Sequence, residues 1–204
     1  MKTPWMEMSV REFQSALASS SPTPGGGTAA AISLGQAAAL TIMVCDLTIG
    51  KEKWKSGWDI ANKALPICVK IMSRAGELAD LDSDAFDDVM SAYRMPIGDE
   101  NEIIMRKESI KKSSIVATEI PFETSKLALE ILEILPELAL KGNGNAVSDV
   151  GVAGLLASAA CKGALFNVDI NLSGLSDDVA KDIRKESPDI LKMSRALSRQ
   201  TVSY

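Results

Sequence analysis

Apolar side chains recur every three or four residues along most of this chain, and that spacing predicts amphipathic helices. The longest regular stripe consists of Ala61, Leu65, Cys68, Met72, Ala75 and Ala79. Alternation of the kind that indicates a strand occurs at residues 167–172, which we interpret as the end of a helix followed by a loop. The pattern therefore predicts an all-α protein.

Capping residues, glycines and prolines divide this pattern into eight or nine helices. Ser9 and Glu12 have the spacing of a capping box and open a first helix that ends near Leu17. The others are expected at about 27–48, 56–80, 83–94, 99–120, 121–141, 146–166, 176–186 and 188–199. Residues 80–83 form an acidic link between two of these helices. Kinks, breaks or restarts are expected at Pro66, Pro121, Pro136 and Pro188.

Two of the predicted helices, 27–48 and 146–166, are rich in Ala and Gly. Small side chains let helices approach closely, so we expect these two to lie centrally, packed on each other or across a dimer interface. Residues 28–45 carry no charge and approach the length of a membrane span. Because alanine contributes little transfer energy and Asp46 follows at once, we expect a buried helix and no membrane partner.

Composition and charge narrow the class of protein further. The 204 residues fit a single domain spanning 1–204. The composition, with 46% hydrophobic residues but only 4% aromatic residues, favours closely packed helices. A net charge of −5 argues against a broad nucleic-acid surface. No secretory signal pattern opens the chain, and Cys45, Cys68 and Cys161 lie in apolar helical surroundings as reduced core residues. We therefore expect a cytoplasmic protein.

Histidine is absent from the sequence, which limits the chemistry. Its absence excludes Ser-His-Asp and Cys-His machinery and argues against a zinc enzyme, so we expect no metal. Acid–base chemistry must come from Asp, Glu, Lys, Tyr or the backbone.

The first candidate site is the segment Pro22 to Thr28, where two prolines and three glycines precede an uncharged helix. Pro24, Gly25, Gly26, Gly27 and Thr28 would offer backbone N–H groups to a ligand, and the helix dipole favours a negative one. A tight connection without binding is the simpler interpretation. The segment lacks the Gly-Lys-Ser/Thr ending of a P-loop and the GxGxxG spacing of a dinucleotide site.

The second candidate site is the acidic helical face formed by Asp84, Asp87 and Asp88, followed by Tyr93 and Arg94. Crowded carboxylates that are partly buried repel one another, which raises at least one pKa and produces a general acid. The alternative is that acids in a first turn only compensate the helix dipole.

The third candidate site follows Gly142 and contains Asn143, Asn145, Ser148 and Asp149. Asn145 is expected to cap the following helix, and Asp149 in the first turn of that helix would then be stabilised by the helix dipole. A cap does not explain why the Gly-Asn pair occurs twice in succession at residues 142–145. Asn-rich turns suit hydrogen bonding to a planar heterocycle. The three candidate sites lie at helix ends and could converge on one cleft.

Four stretches of this sequence resemble motifs of the formiminotransferase-cyclodeaminase C-terminal family, in the family's order. They are residues 19–30, residues 84–96, residues 142–153 and residues 163–172. The resemblance covers about residues 8–175, most of the chain, and leaves helices over 176–204 beyond it.

The resemblance implies an all-helical homodimer that binds a tetrahydrofolate derivative as substrate and requires no cofactor. Family members close 5-formimidoyltetrahydrofolate to 5,10-methenyltetrahydrofolate with release of ammonia, and stand-alone relatives include methenyltetrahydrofolate cyclohydrolases. A non-catalytic folate-binding module and a purely structural helical dimer remain alternatives.

Roles for the candidate residues follow from the resemblance as hypotheses. Asp84 or Asp87 would relay the proton, and Asp149 would position the pterin or assist. Arg94 and Lys51 are candidates for the glutamate carboxylates of the substrate. The other substrate-binding candidates are Pro24, Gly25, Gly26, Gly27, Thr28, Tyr93, Asn143, Asn145 and Ser148.

Overall fold

A computed structural model describes residues 3–202, so the outermost two residues at each end of the predicted domain lie outside the described range. Within that range the chain forms six α-helices and no strand. They are α1 (Val10–Leu17), α2 (Gly26–Thr48), α3 (Trp58–Tyr93), α4 (Glu100–Lys141), α5 (Val147–Ser173) and α6 (Lys181–Thr201). Three short 3₁₀ turns lie at Trp5–Glu7, Glu52–Gly57 and Gly144–Ala146. The all-α prediction is confirmed.

Helices α2 to α5 form an antiparallel four-helix bundle in which each helix packs on the one before it and α5 returns to α2. The start of α2 lies beside the later part of α3, where Thr28 contacts Ser83. Helix α6 packs on α4 and α5. This up-and-down order gives the bundle two ends, one with the start of α2 and the other with its C-terminus.

The bundle core is built from alanines and branched aliphatic side chains. The bulkiest apolar side chains that are fully buried are Leu34, Leu78, Ile131, Leu132, Leu135, Leu138, Val44, Val150 and Val168. Helices α2 and α5 lie side by side, and a Cβ added at Gly163 would be 3.4 Å from the Ala30 Cβ, an ordinary contact distance. The two helices predicted to be central therefore do pack on each other.

The number of helices is lower than the eight or nine predicted, because three predicted breaks are absent. Residues 80–83 are helical within α3, residues 120–121 within α4 and residues 187–188 within α6. Residues 167–172 also remain helical, within α5.

Tertiary contacts explain why the acidic link is helical. Asp80 accepts a hydrogen bond from the backbone N–H of Trp5, and Asp82 accepts one from the hydroxyl of Thr28. These carboxylates bind other elements rather than capping a new helix, so nothing interrupts α3. Prolines inside the long helices each remove one backbone hydrogen bond, but the packing of a long apolar face sustains the helix around them.

Other local predictions are confirmed. The capping box is present, since the Ser9 hydroxyl oxygen accepts from the Glu12 N–H and the Ser9 N–H donates to the Glu12 carboxylate at 2.8 Å. All three cysteines are free and buried. Burial raises the thiol pKa of Cys45 to about 11 and of Cys68 to about 12.

Two segments, Gly26–Thr48 and Gly144–Ser173, are long and apolar enough to cross a membrane by length and composition alone. Half of the apolar stretch in the first is buried inside the bundle. Core helices of globular proteins share these properties.

Candidate functional site

The start of α2 is packed directly against two side chains of α3. The Thr28 hydroxyl donates to Asp82 Oδ2 at 2.9 Å and lies 3.1 Å from Ser83 Oγ. Gly27 adjoins the same carboxylate so closely that an added Cβ would overlap it. By contrast, a Cβ at Gly26 would meet nothing within 4 Å. The glycine at position 27 is therefore required by close packing on Asp82.

This cluster extends to the N-terminal segment through Trp5, which is buried. The indole Nε1–H of Trp5 donates to Ser83 Oγ at 3.0 Å, and its backbone N–H donates to Asp80 Oδ1 at 2.9 Å. The N-terminal segment and the start of α2 thus both contact the same part of α3. We call this set, Trp5, Thr28, Asp80, Asp82 and Ser83, the loop-end cluster.

Asp82 is one of two half-buried carboxylates in the loop-end cluster, the other being Asp80. Burial raises the pKa of Asp82 above the usual value, and hydrogen bonds from the hydroxyl and backbone N–H of Thr28 act in the opposite direction. From the sequence, Asp82 was assigned to an acidic link, and this contact was missed. The available signal was the three-residue glycine run, since a helix start without side chains can accept a close neighbour.

The residues of the second candidate site are all exposed: Asp84, Asp87, Asp88 and Tyr93 lie further along α3, and Arg94 is its C-cap. The carbonyl oxygen of Tyr93 accepts two hydrogen bonds from Arg106 on α4, whose guanidinium also lies 5.7 Å from the tyrosine ring centroid. This part of α3 pairs with α4 at the same end of the bundle as the glycine loop. The structure therefore brings the first two candidate sites to one end.

The third candidate site lies where α2, α3 and α4 meet at the opposite end. The Asn143 N–H donates to Thr48 Oγ1 at 3.0 Å, and its side-chain Nδ2 donates to the carbonyl of Leu47 at 2.9 Å. Asn143 Oδ1 also accepts from the Asn145 N–H at 3.0 Å. Asn143, rather than Asn145, is therefore the capping residue here, and it caps a 3₁₀ turn before α5 begins at Val147.

At this second end of the bundle, packing explains one residue of the repeated Gly-Asn pair, Gly144. A Cβ at Gly144 would lie 3.0 Å from the ring of Trp54, which is tighter than an ordinary contact, so packing favours glycine there. Asn145 and Ser148 are exposed, and Asp149 is half-buried in the first turn of α5. Lys51, exposed after the C-terminus of α2, belongs to the same end.

Within one chain, the predicted site residues therefore lie in two separate groups. Helix α2 has 23 residues, so its two ends lie about 33 Å apart. The group from Pro24 to Thr28, with the exposed residues of α3, lies at one end, and Lys51 with the Asn143 to Asp149 group lies at the other. The three candidate sites do not form one cleft within a single copy.

Among residues 3–202, no group of three or more Cys, Asp or Glu side chains has the arrangement of a metal site. The chemistry that the described site residues offer is that of carboxylates, amides, hydroxyls and backbone N–H groups. Groups of these kinds can transfer protons and orient a polar heterocycle.

Comparison with known proteins identifies the class to which this helical bundle belongs. A model of the formiminotransferase-cyclodeaminase family matches residues 9–188. The match covers most of the chain, includes both ends described above and extends past residue 175, where the resemblance was expected to stop. The chain belongs to the formiminotransferase-cyclodeaminase family.

Two named relatives illustrate the range of the family. A methenyltetrahydrofolate cyclohydrolase of Methylorubrum extorquens is 38% identical over 193 residues, which cover 94% of this chain and 92% of that protein. A formimidoyltransferase-cyclodeaminase of Dictyostelium discoideum is 33% identical over 190 residues, covering 93% of this chain but 34% of the relative. The chain thus spans about a third of the longer relatives' length.

A solved structure supports the same assignment. The crystal structure of formiminotetrahydrofolate cyclodeaminase from Thermotoga maritima superimposes with a TM-score of 0.79 at 26% sequence identity. The superposition covers 96% of this chain and 92% of that one. The helical bundle is therefore the fold of a known member of the family.

Proposed function

We propose that this protein is an enzyme of tetrahydrofolate metabolism that acts on the carbon bridging N5 and N10. The observation that carries this proposal is the match of nearly the whole chain to a relative of nearly equal length named for that chemistry. Carboxylates at both ends of the bundle supply the acid–base groups such a reaction needs, and no cofactor is required in the proposal.

Two reactions on the same carbon are candidates. In cyclodeamination, N10 attacks the formimidoyl carbon and the departing nitrogen takes a proton to leave as ammonia. In cyclohydrolysis, water adds to the methenyl carbon and the ring opens to a formyl group. The Thermotoga structure supports the first reaction, and the 38% identity to the Methylorubrum protein supports the second at least as well.

In either reaction, Asp84 or Asp87 is the proposed proton carrier, and Asp149 positions the pterin or assists. The backbone of Pro24 to Gly27 with Thr28 is proposed to contact the substrate, as are Tyr93, Asn143, Asn145 and Ser148. Arg94 and Lys51 would meet the glutamate carboxylates of the substrate, because each is an exposed cation near one of the two groups.

A site that uses both groups requires two copies, so we propose that the enzyme is a homodimer. In an antiparallel pair, the glycine-loop end of one copy lies beside the Asn143 end of its partner. Exposed apolar side chains on α5, at successive spacings of three, eleven and four residues, provide a surface for such pairing: Val152, Leu155, Phe166 and Ile170. The proposal places the enzyme in the cytoplasm.

Absorbance at the methenyl-folate band tests this function with purified protein. Loss of the band from 5,10-methenyltetrahydrofolate, faster than in a protein-free control, would identify a cyclohydrolase. Growth of the band from 5-formimidoyltetrahydrofolate, with ammonia release, would identify a cyclodeaminase. Folate binding without either change would contradict the enzymatic proposal and favour a binding module.

A further inference from the structure

The C-terminal part of α5 contains a motif, residues 163–172, to which the proposed function gives no role. Within it, Asn167 and Asn171 are both half-buried and lie one helical turn apart on the same face of α5. The Asn167 side-chain Nδ2 donates to the carbonyl of Gly163 at 2.9 Å, and the Asn171 Nδ2 donates to the carbonyl of Ala117 on α4 at 2.6 Å. Main-chain acceptors therefore hold both carboxamides in place.

These bonds leave the two carboxamide oxygens free. A main-chain carbonyl can only accept, so the amide atom that faces it is the nitrogen, and Oδ1 is left for another donor. Among residues 3–202, no group donates a hydrogen bond to Oδ1 of Asn167 or Asn171. The pair therefore offers two hydrogen-bond acceptors to a molecule that presents two neighbouring donors.

The antiparallel packing of α2 and α5 places this pair beside the glycine loop. Gly163 lies against Ala30 of α2, and Asn167 and Gly26 are each four residues, about 6 Å, further toward the loop end. Asn167 is therefore level with Gly26, and Asn171 lies one turn beyond the start of α2. A Cβ at Gly26 would meet nothing within 4 Å, so the space beside the first turn of α2 is open.

We infer that Asn167 and Asn171 bind the pterin ring of the substrate through their carboxamide oxygens. This inference rests on the proposed function and names residues that would recognise the ring. The 2-amino group and N3–H of a 4-oxopterin are adjacent donors, and they match the two free acceptors. Amide side chains recognise the heterocycles of nucleic-acid bases by the same kind of pairing between donors and acceptors.

The shape of the substrate assigns the two contacts. Its charged glutamate end stays at the exposed surface, because burial of an unpaired carboxylate is costly, so the ring enters first. C2 and C6 lie at opposite ends of the pterin, and the rest of the substrate extends from C6, so the 2-amino group is the deepest polar group. Asn167, further from the end of the bundle, accepts from the 2-amino group, and Asn171, one turn nearer that end, accepts from N3–H.

The test measures dissociation constants by calorimetry for tetrahydrofolate and for its 2-desamino-2-methyl analogue, which lacks the 2-amino donor. The wild type should bind the analogue about tenfold more weakly, the effect of one lost hydrogen bond. N167L should bind tetrahydrofolate about tenfold more weakly than the wild type, with its preference over the analogue reduced to about twofold or less. N167D, which keeps an acceptor oxygen, should retain the preference.

N62L is the matched control. The Asn62 Nδ2 makes the same bond to the carbonyl four residues earlier, at 2.8 Å, but lies on α3 near the opposite end of the bundle. This variant should leave both dissociation constants unchanged.

A preference retained in N167L would show that Asn167 only stabilises α5, and would overturn the inference. If N167L does not fold, equal affinities of the wild type for the two compounds would still overturn it. A wild type that binds neither compound would instead overturn the proposed function.

Discussion

At the scale of single residues, the contact between Gly27 and Asp82 determines how α2 begins. The sequence indicated that the glycine run mattered, because glycines at a helix start permit close approach. It did not indicate which neighbour approaches, since Asp82 lies 55 positions along the chain and its role depends on how two helices align. The exposed Asp84, which the sequence favoured as a proton carrier, lies only two residues from Asp82 on α3.

Replacing Gly27 with alanine should destabilise the protein and impair the proposed activity. The added Cβ would overlap the Asp82 carboxylate and displace it from Thr28. We expect a loss of about 1–3 kcal/mol in the free energy of unfolding, measured by urea denaturation.

Gly26→Ala is the matched control for this change, because its Cβ would enter open space. It should leave stability equal or slightly higher, since alanine is the better helix former. Equal effects of the two substitutions would contradict the packing argument.

At the scale of helices, the pairing of α3 with α4 includes an ion pair in mid-bundle. Arg74 donates from Nε and Nη2 to the two carboxylate oxygens of Glu123, at 2.8 and 2.9 Å, and from Nη1 to Glu77 at 2.7 Å. The bond from Arg74 holds the pKa of Glu123 below its usual value. Two-oxygen pairing of this kind fixes the register of the two helices.

Glu123→Gln should lower the free energy of unfolding by about 0.5–1 kcal/mol near neutral pH, after allowance for solvent screening of a partly exposed pair. Because the folded-state pKa of Glu123 is depressed, this contribution is present above the usual value of 4.5 and is lost as the pH falls through the folded-state value. Urea titrations of wild type and variant should therefore converge at low pH.

Glu77→Gln provides the control, because Glu77 pairs with Arg74 within α3 rather than across helices and its side chain is 60% exposed. Its effect should be smaller than that of Glu123→Gln. A larger effect, or a difference that persists in acid, would contradict the pairing across helices.

Helix boundaries were predictable where they depend on local capping, and less so where they depend on tertiary contacts. The Ser9 capping box and the bounds of α2 were anticipated from a few neighbouring residues. The continuity of α3 through residues 80–83 was not, because it depends on Trp5 and Thr28, which are distant in sequence. Likewise, prolines read as breaks lie inside helices supported by the rest of the bundle.

At the scale of the whole molecule, the separation of the two groups of site residues leads to a prediction about complementation. Asp84→Asn and Asp149→Asn should each abolish turnover as pure homodimers. If the two groups come from different copies, mixing the variants under conditions of subunit exchange should restore about a quarter of wild-type activity, because half the dimers then contain one intact site. No recovery after demonstrated exchange would contradict a shared site.

The proposed dimer surface can be tested separately with Leu155→Glu. Leu155 is 59% exposed on α5, and a charge there should prevent pairing of two apolar faces. Light scattering should show a monomer, with helical content retained by circular dichroism and turnover lost. Val69→Glu on α3, diagonally across the bundle from α5, should leave the mass and the turnover as in the wild type.

The three tryptophans divide between the two ends of the bundle. Trp5 belongs to the loop-end cluster, whereas Trp54 packs on Gly144 and the Trp58 indole donates to the carbonyl of Thr48 at 3.0 Å. Indole emission responds to polarity and to nearby quenchers, so the protein contains separate fluorescent reporters about 33 Å apart. A Trp5→Phe variant would leave emission from the Asn143 end, and a Trp54→Phe/Trp58→Phe variant would leave emission from the glycine-loop end.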